Sequence, residues 1–430
     1  MSDTIAAIAT GASVSAIGIV RISGPKAIDA AAKLFAPMPK EDRKLAYGQL
    51  RDAKGELLDL CLCTISHGPN SYTGEDTAEF QCHGSPVILR ALLDELFLLG
   101  VRQAKPGEFT KRAFLNAKMQ LSNAEAVADI IDAETIEIAK NAASQLGGAI
   151  SEKTDRIYSD FSDICSHFHA VLDYPDEDIE DFEIKKYASV LKNAEDVLKN
   201  LLSTADSGAV LKEGIPTAIV GYPNAGKSSL LNALLGYDRA IVTEIPGTTR
   251  DTIEEKVKVG SIVLKLTDTA GIRETDDEVE QLGVERSRNA AKNAKLVINI
   301  IDGTTDDSPL DDTYLAVYNK CDLPGFKGGE INISAKTGEG IDKLKSKIIS
   351  MFPIPDVPAG EILTNARHTE AVKTALEYIQ SAIETLEEGK TPDIVLTEIE
   401  GAMQSIGELS GRTVREDVTN RIFSRFCVGK

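Results

Sequence analysis

The eight residues GYPNAGKS, Gly221 to Ser228, constrain the fold of this chain more than any other stretch. They fit the pattern G-x-x-x-x-G-K-[S/T], follow the strand-like run TAIV, and precede SLLNALLG, which reads as a helix. The glycines let backbone N–H groups approach phosphate oxygens, Lys227 can reach the β- and γ-phosphates, and the Ser228 hydroxyl can bind Mg²⁺. Such a loop works only where a strand of a parallel sheet turns into a helix. The flanking sequence agrees. Between about 214 and 353, apolar runs (TAIVG, IVLKLTDT, LVINIID, YLAVYNK) alternate with helical stretches, the signature of a parallel α/β domain.

Base choice is written at NKCD, Asn319 to Asp322, after the run YLAVY. The Asp322 carboxylate can accept two hydrogen bonds from guanine's ring N–H and exocyclic amine, a pair that adenine does not offer. The residues SAK at 334 to 336 stand where a loop commonly closes over the base. GTTRD at 247 to 251 supplies Thr249 as a switch threonine for Mg²⁺, and Asp268 opens DTAG as a strand-end carboxylate near the metal. The nucleotide site therefore takes in Asn224, Ala225, Gly226, Lys227, Ser228 and Ser229. It continues with Thr243, Glu244, Ile245, Pro246, Gly247, Thr248 and Thr249, then Asp268, Thr269, Ala270 and Gly271, and ends with Asn319, Lys320, Asp322, Ser334 and Ala335. Lys227 is the expected catalytic cation. One position resists the pattern: the residue after DTAG is Ile272, where many nucleotide hydrolases carry a water-orienting glutamine, and isoleucine cannot hydrogen-bond water.

A chain of 430 residues exceeds one core and should divide into several domains. Short β-rich runs (AIGIVRIS, LLDLCLCTIS, TAEFQCH) broken by turns, with the helix PVILRALLDELFLLG, predict an α+β domain over 1–117. Apolar residues at three- and four-residue intervals predict helices over 118–211 and again over 354–430, so a helical domain is interrupted by the α/β domain at 212–353. The fold class expected is multidomain α+β and α/β, with an all-helical part and an inserted P-loop domain. The longest apolar stretches are interrupted by acids and too short to span a bilayer, and the N-terminus lacks the pattern of a secretory signal, so a cytoplasmic protein is expected. The six cysteines show no C-x-x-C pair and no zinc spacing, and reduced thiols are expected. A net charge of −20 argues against coating nucleic acid by bulk attraction, although the last twenty residues carry five basic and two acidic side chains.

Beyond the nucleotide loop, GIVRISG at 18 to 24, PNSYTGED at 69 to 76, KPGEFTKRAFLN at 105 to 116, DYPDEDI at 173 to 179 and the terminal FCVGK make the whole chain resemble the MnmE (TrmE) family of tRNA modification GTPases. The resemblance implies an N-terminal folate-binding and dimerising domain, a helical domain and an inserted G domain. It implies a homodimer that, with a flavoprotein partner similar to MnmG, modifies carbon 5 of the wobble uridine of tRNA using a one-carbon unit from methylene-tetrahydrofolate. Folate contacts carry over to Arg21, Glu79, Lys118 and Lys430. Cys427 is either buried packing or a thiol near the folate with a part in the chemistry. The resemblance also answers the question at Ile272, because the water-positioning role falls on Glu280. Charge stabilisation falls on K⁺, held by Asn224, Thr243, Ile245 and Thr248 when two G domains meet, with Arg250 and Arg273 as minor candidates for an arginine finger.

Two other functions compete: a regulatory GTPase of ribosome assembly, and a folate-dependent one-carbon transfer enzyme acting alone. The first would often append an RNA-binding module with a GxxG loop between helices, and the one match, GFKG at 325 to 328, lies inside the G domain.

Overall fold

The computed structural model describes residues 3–11, 13–173, 184–238, 255–266 and 291–430. The chain divides into two compact units, Met1–Ala128 with Gln404–Lys430, and Asp129–Met403.

The first unit is built on a seven-stranded sheet in the order β3-β4-β5-β6-β2-β1-β7. Its strands are β1 (Ile5–Ile8), β2 (Ser15–Ser23), β3 (Phe35–Ala36), β4 (Ala46–Arg51), β5 (Leu57–Ser66), β6 (Thr77–Gly84) and β7 (Arg102–Gln103). All neighbours run antiparallel except β1 with β7. The two-residue alternation of side chains decides which face is core. In β6, Ala78, Phe80 and Cys82 point inward while Glu79 and Gln81 do not, and in β2 Val20 and Ile22 are buried while Arg21 faces the other way. Helix α1 (Ala27–Leu34) and helix α2 (Pro86–Leu98) cover the apolar face. In α2 the buried residues Leu89, Leu92, Leu93 and Leu96 recur at helical spacing, forming one stripe against the sheet. Helix α3 (Glu108–Leu115) and the start of helix α4 (Leu121–Ile131) follow, and Leu121 and Ala124 pack with Phe423 and Phe426 of the C-terminal segment. That segment ends beside the start of α3: Gly107 N–H donates to the Cys427 carbonyl at 3.3 Å. Gly107 has φ 65°, and a side chain there would run into the Phe423 carbonyl, so glycine is required.

A second, five-stranded sheet in the order β12-β11-β8-β10-β9 lies in the second unit. It comprises β8 (Ile215–Val220), β9 (Glu255–Val259), β10 (Ile262–Leu266), β11 (Leu296–Asp302) and β12 (Leu315–Asn319). The central β8 is parallel to both neighbours, and only the β9–β10 hairpin is antiparallel. Strands covered on both faces should read as continuous apolar runs, as IPTAIV and LVINIID do.

The same unit contains helices α5 (Ile136–Leu146), α6 (Ala149–Asp173), α7 (Ile184–Leu202) and α8 (Ala205–Glu213), with α9 (Lys227–Asp238) after the phosphate loop. Beyond the sheet come the helices Ile341–Met351 and Ala366–Glu387, the latter packed along α7. The polypeptide enters the sheet through α8 and leaves it near residue 352, and the two crossings are fastened together. The Thr204 hydroxyl accepts from Leu363 N–H at 3.0 Å, Asn141 accepts from Gly360 N–H at 2.9 Å, and the side-chain amides of Asn141 and Gln145 both donate to the Ile362 carbonyl. Each of these buried groups would cost ~1–3 kcal/mol if left unpaired, so they hold the two crossings in register.

Candidate functional site

The phosphate loop sits at the C-terminal end of β8, where a parallel sheet opens a crevice between strand ends and helix N-termini. Asn224 has φ 61° and Gly226 φ 105°. A side chain on Gly226 would overlap the Asn319 amide, so both the backbone angle and the space demand glycine. Lys227 folds back over the loop, donating to the Gly221 carbonyl at 2.8 Å and the Tyr222 carbonyl at 3.0 Å. Burial lowers its pKa, because desolvation penalises the ammonium. Ser228 and Ser229 are exposed in the first turn of α9, so the Ser228 hydroxyl is open to a ligand beside the loop.

Asn319 joins the two halves of this site. Its Nδ2 donates to the Ala225 carbonyl at 2.8 Å, and its Oδ1 accepts from Ala335 N–H at 2.9 Å. One buried amide thus ties the phosphate loop to the loop carrying Ser334 and Ala335, and Asp322 lies exposed beyond it. Ser334 is buried and caps its own turn, accepting from Thr337 N–H at 3.2 Å. Lys320, at φ 69°, is held by Asp302, the last residue of β11, which also accepts from the Thr304 N–H and hydroxyl. Burial works against the charge on Asp302, but Lys320 and Thr304 outweigh it and leave the carboxyl below its ordinary range. Sequence reading passed over Asp302 and Thr304. The available signal was an acid at a strand end, followed by glycine and threonines, in IIDGTT.

Thr243, Glu244, Ile245, Pro246, Gly247, Thr248 and Thr249 lie outside the described residues. So do Asp268, Thr269, Ala270, Gly271 and Glu280, with Arg250, Ile272 and Arg273.

In the first unit, Arg21 and Glu79 are register partners on β2 and β6, and their side chains meet at 2.6 Å on the face away from the core. The Arg21 guanidinium lies over the rings of Tyr72 (5.5 Å) and Phe109 (5.7 Å), near enough for cation–π attraction. Phe109 N–H donates to the Lys430 carbonyl at 3.2 Å, which brings the C-terminus to the same helix. Lys118 is exposed, and its aliphatic stem lies beside Gly74. Cys427 is exposed rather than packed inside, so the buried reading of this residue does not hold.

Close by, Arg112 is buried with Asp3, Glu75 and Glu108 around it, donating to their carboxylates at 2.7, 2.9 and 3.1 Å. Arg112, Glu75 and Glu108 border a cavity of about 640 Å³, also lined by Lys105, Lys111 and Asn420. Arg21, Glu79, Lys118 and Lys430 do not line it.

A parallel sheet whose central strand runs into GYPNAGKS, with NKCD fastened to that loop by Asn319, defines a P-loop GTPase domain. A family model described as the MnmE helical domain matches residues 121–427, and another, described as the GTP-binding protein TrmE N-terminus, matches residues 4–118. The tRNA modification GTPase MnmE of Akkermansia muciniphila is 42% identical over 443 residues, spanning 99% of both chains. That of Thermoanaerobacter sp. (strain X514) is 40% identical over 457 residues, with 100% of this chain and 99% of its own covered. The MnmE of Desulforamulus reducens is 39% identical over 460 residues and all of both chains. The chain belongs to the MnmE family of tRNA modification GTPases and is a GTP hydrolase. No helix among the described residues is long and apolar enough to cross a membrane.

Proposed function

We propose that the chain is a cytoplasmic homodimer that hydrolyses GTP to drive modification of carbon 5 of the tRNA wobble uridine, working with an FAD-binding, MnmG-like partner. The observation that carries this reading is the Asn319 link, which ties the phosphate loop to the loop of Ser334 and Ala335, with the exposed Asp322 close by in the chain. Lys227 is already aimed across the loop, where a β- or γ-phosphate oxygen can replace the carbonyls it now contacts. The exposed Ser228 hydroxyl fits Mg²⁺, with Thr249 as its second protein ligand, and the ion would supply charge neutralisation at the phosphates. Asn224, Thr243, Ile245 and Thr248 would hold K⁺. Glu280 would orient the attacking water, a role the side chain of Ile272 cannot take.

The one-carbon donor is a tetrahydrofolate derivative. The Arg21–Glu79 pair with its two flanking rings suits a flat, polar-edged heterocycle, since Glu79 can accept from a pterin N–H pair while Arg21 favours carboxylate. Lys118 and Lys430 would supply further positive charge, and the exposed Cys427 thiol is the candidate for a covalent or proton-transfer role. Mass spectrometry of wobble uridines from cells lacking this protein tests the proposal. Loss of the carbon-5 group is expected, and an unchanged nucleoside would reject it.

A further inference from the structure

Two cysteines and an aspartate that look unrelated in the sequence meet in the core of the first unit. Asp59 and Cys61 stand two residues apart on β5, hence on one face, and Cys82 lies on the neighbouring β6. A carboxylate oxygen and the two Sγ atoms all lie within 4.8 Å of one another. The site is enclosed: Asp59 is 8% exposed, Cys61 4% and Cys82 2%.

Buried thiols alone are ordinary small apolar packing. A buried carboxylate beside them is not, because its charge needs compensation. Asp59 Oδ1 accepts from Leu60 N–H at 2.8 Å and lies 2.7 Å from His83 Nδ1, while Oδ2 accepts from His83 N–H at 2.9 Å. These contacts fix the carboxylate's orientation and leave Oδ2 with a lone pair to offer, as partners around a metal-ligating carboxylate do.

We propose that Asp59, Cys61 and Cys82 form a binding site for one thiophilic divalent cation of the zinc class, distinct from the nucleotide-linked metals and independent of the proposed function. With bonds of about 2.3 Å to sulfur, tetrahedral ligands stand about 3.7 Å apart, so the donors close by roughly 1 Å at most. Two thiolates and a carboxylate make a soft-to-borderline set that favours zinc over magnesium or calcium. Binding releases two thiol protons to solvent and forms two metal–sulfur bonds without any change of oxidation state. The fourth position is left to water. The site would add a metal cross-link between β5 and β6 to the Asp59–His83 contacts that already join them.

The test uses the full chain, kept reduced, stripped of metal with a chelator, and titrated with Co²⁺. The expected result is one equivalent giving a thiolate-to-cobalt charge-transfer band with the visible absorption of a tetrahedral ion. Oxygen ligands at the phosphate loop produce no such band. Cys82→Ala should abolish the band, whereas Cys427→Ala, at an exposed position, should retain it. Absence of the band in the native chain, or its persistence in Cys82→Ala, would overturn the proposal. Alkylation of the native chain with and without Zn²⁺, mapped by mass spectrometry, gives a second reading that needs no variant. Because both thiols are buried, labelling over time reads their transient opening; Zn²⁺ should slow it at Cys61 and Cys82 but not at the buried Cys165, and equal rates with and without Zn²⁺ would refute the site.

Discussion

The phosphate loop and the Arg21–Glu79 pair are built on different plans. The loop is eight consecutive residues that present mainly backbone, and its support is local: a strand end, a helix start and one amide from Asn319. The Arg21–Glu79 pair is two side chains from positions 58 residues apart, joined by strand register and capped by rings from two further segments. A backbone site tolerates change in many side chains but in almost none of its glycines. A side-chain site depends on pairing register, since a one-residue slip of β6 would turn Glu79 into the core. The two sites should therefore fail separately and in different ways.

The largest expected effect lies in the second unit. Glu280→Ala should slow single-turnover GTP hydrolysis in saturating K⁺ by ~10² while leaving nucleotide affinity intact, as loss of a positioned acid/base group does. Asp276→Ala and Asp277→Ala should change the rate far less, and near-native turnover in Glu280→Ala would remove this residue from the water's path.

Arg112→Ala probes the first unit and should act on stability instead. Arg112 is the common donor to three carboxylates and is 10% exposed on its side chain. Its removal leaves Glu75 and Glu108 close together without it, at a cost of about 2 kcal/mol. Urea unfolding followed on the first unit should show this loss while GTP hydrolysis by the folded protein stays near native. A native-like unfolding midpoint would mean that the cluster is solvated and contributes little.

Legibility followed the same division. GYPNAGKS and NKCD could be read directly because each packs its chemistry into a few consecutive residues, and β8 announced itself as a buried parallel strand in TAIV. What joins them, the Asn319 amide on Ala225 and Ala335, depends on two loops closing in space, so only the residue and not its bonds was visible. Arg21 and Glu79 came from family resemblance alone, since alternation in β2 and β6 tells which face a residue takes but not which strand lies beside it. The same limit hid Asp59, Cys61 and Cys82: their spacing matches no metal motif because the third donor arrives through strand pairing. Lys256 on β9 reaching Glu134, just before α5, is another such contact, formed across 122 residues of chain. For Cys427 the sequence leaves buried packing and a thiol near the folate both open, because an apolar neighbourhood, FCVG, does not fix which side chains turn inward.

Calorimetric titration of GDP and of a reduced folate into the native chain, Asp322→Asn and Glu79→Ala tests the separation of the two sites most directly. Each variant is expected to lose ~10- to 10²-fold in affinity for its own ligand, the value of hydrogen bonds to a charged group, and to bind the other ligand as the native chain does. Unchanged folate affinity in Glu79→Ala, or an equal loss of GDP affinity in both variants, would contradict two independent sites.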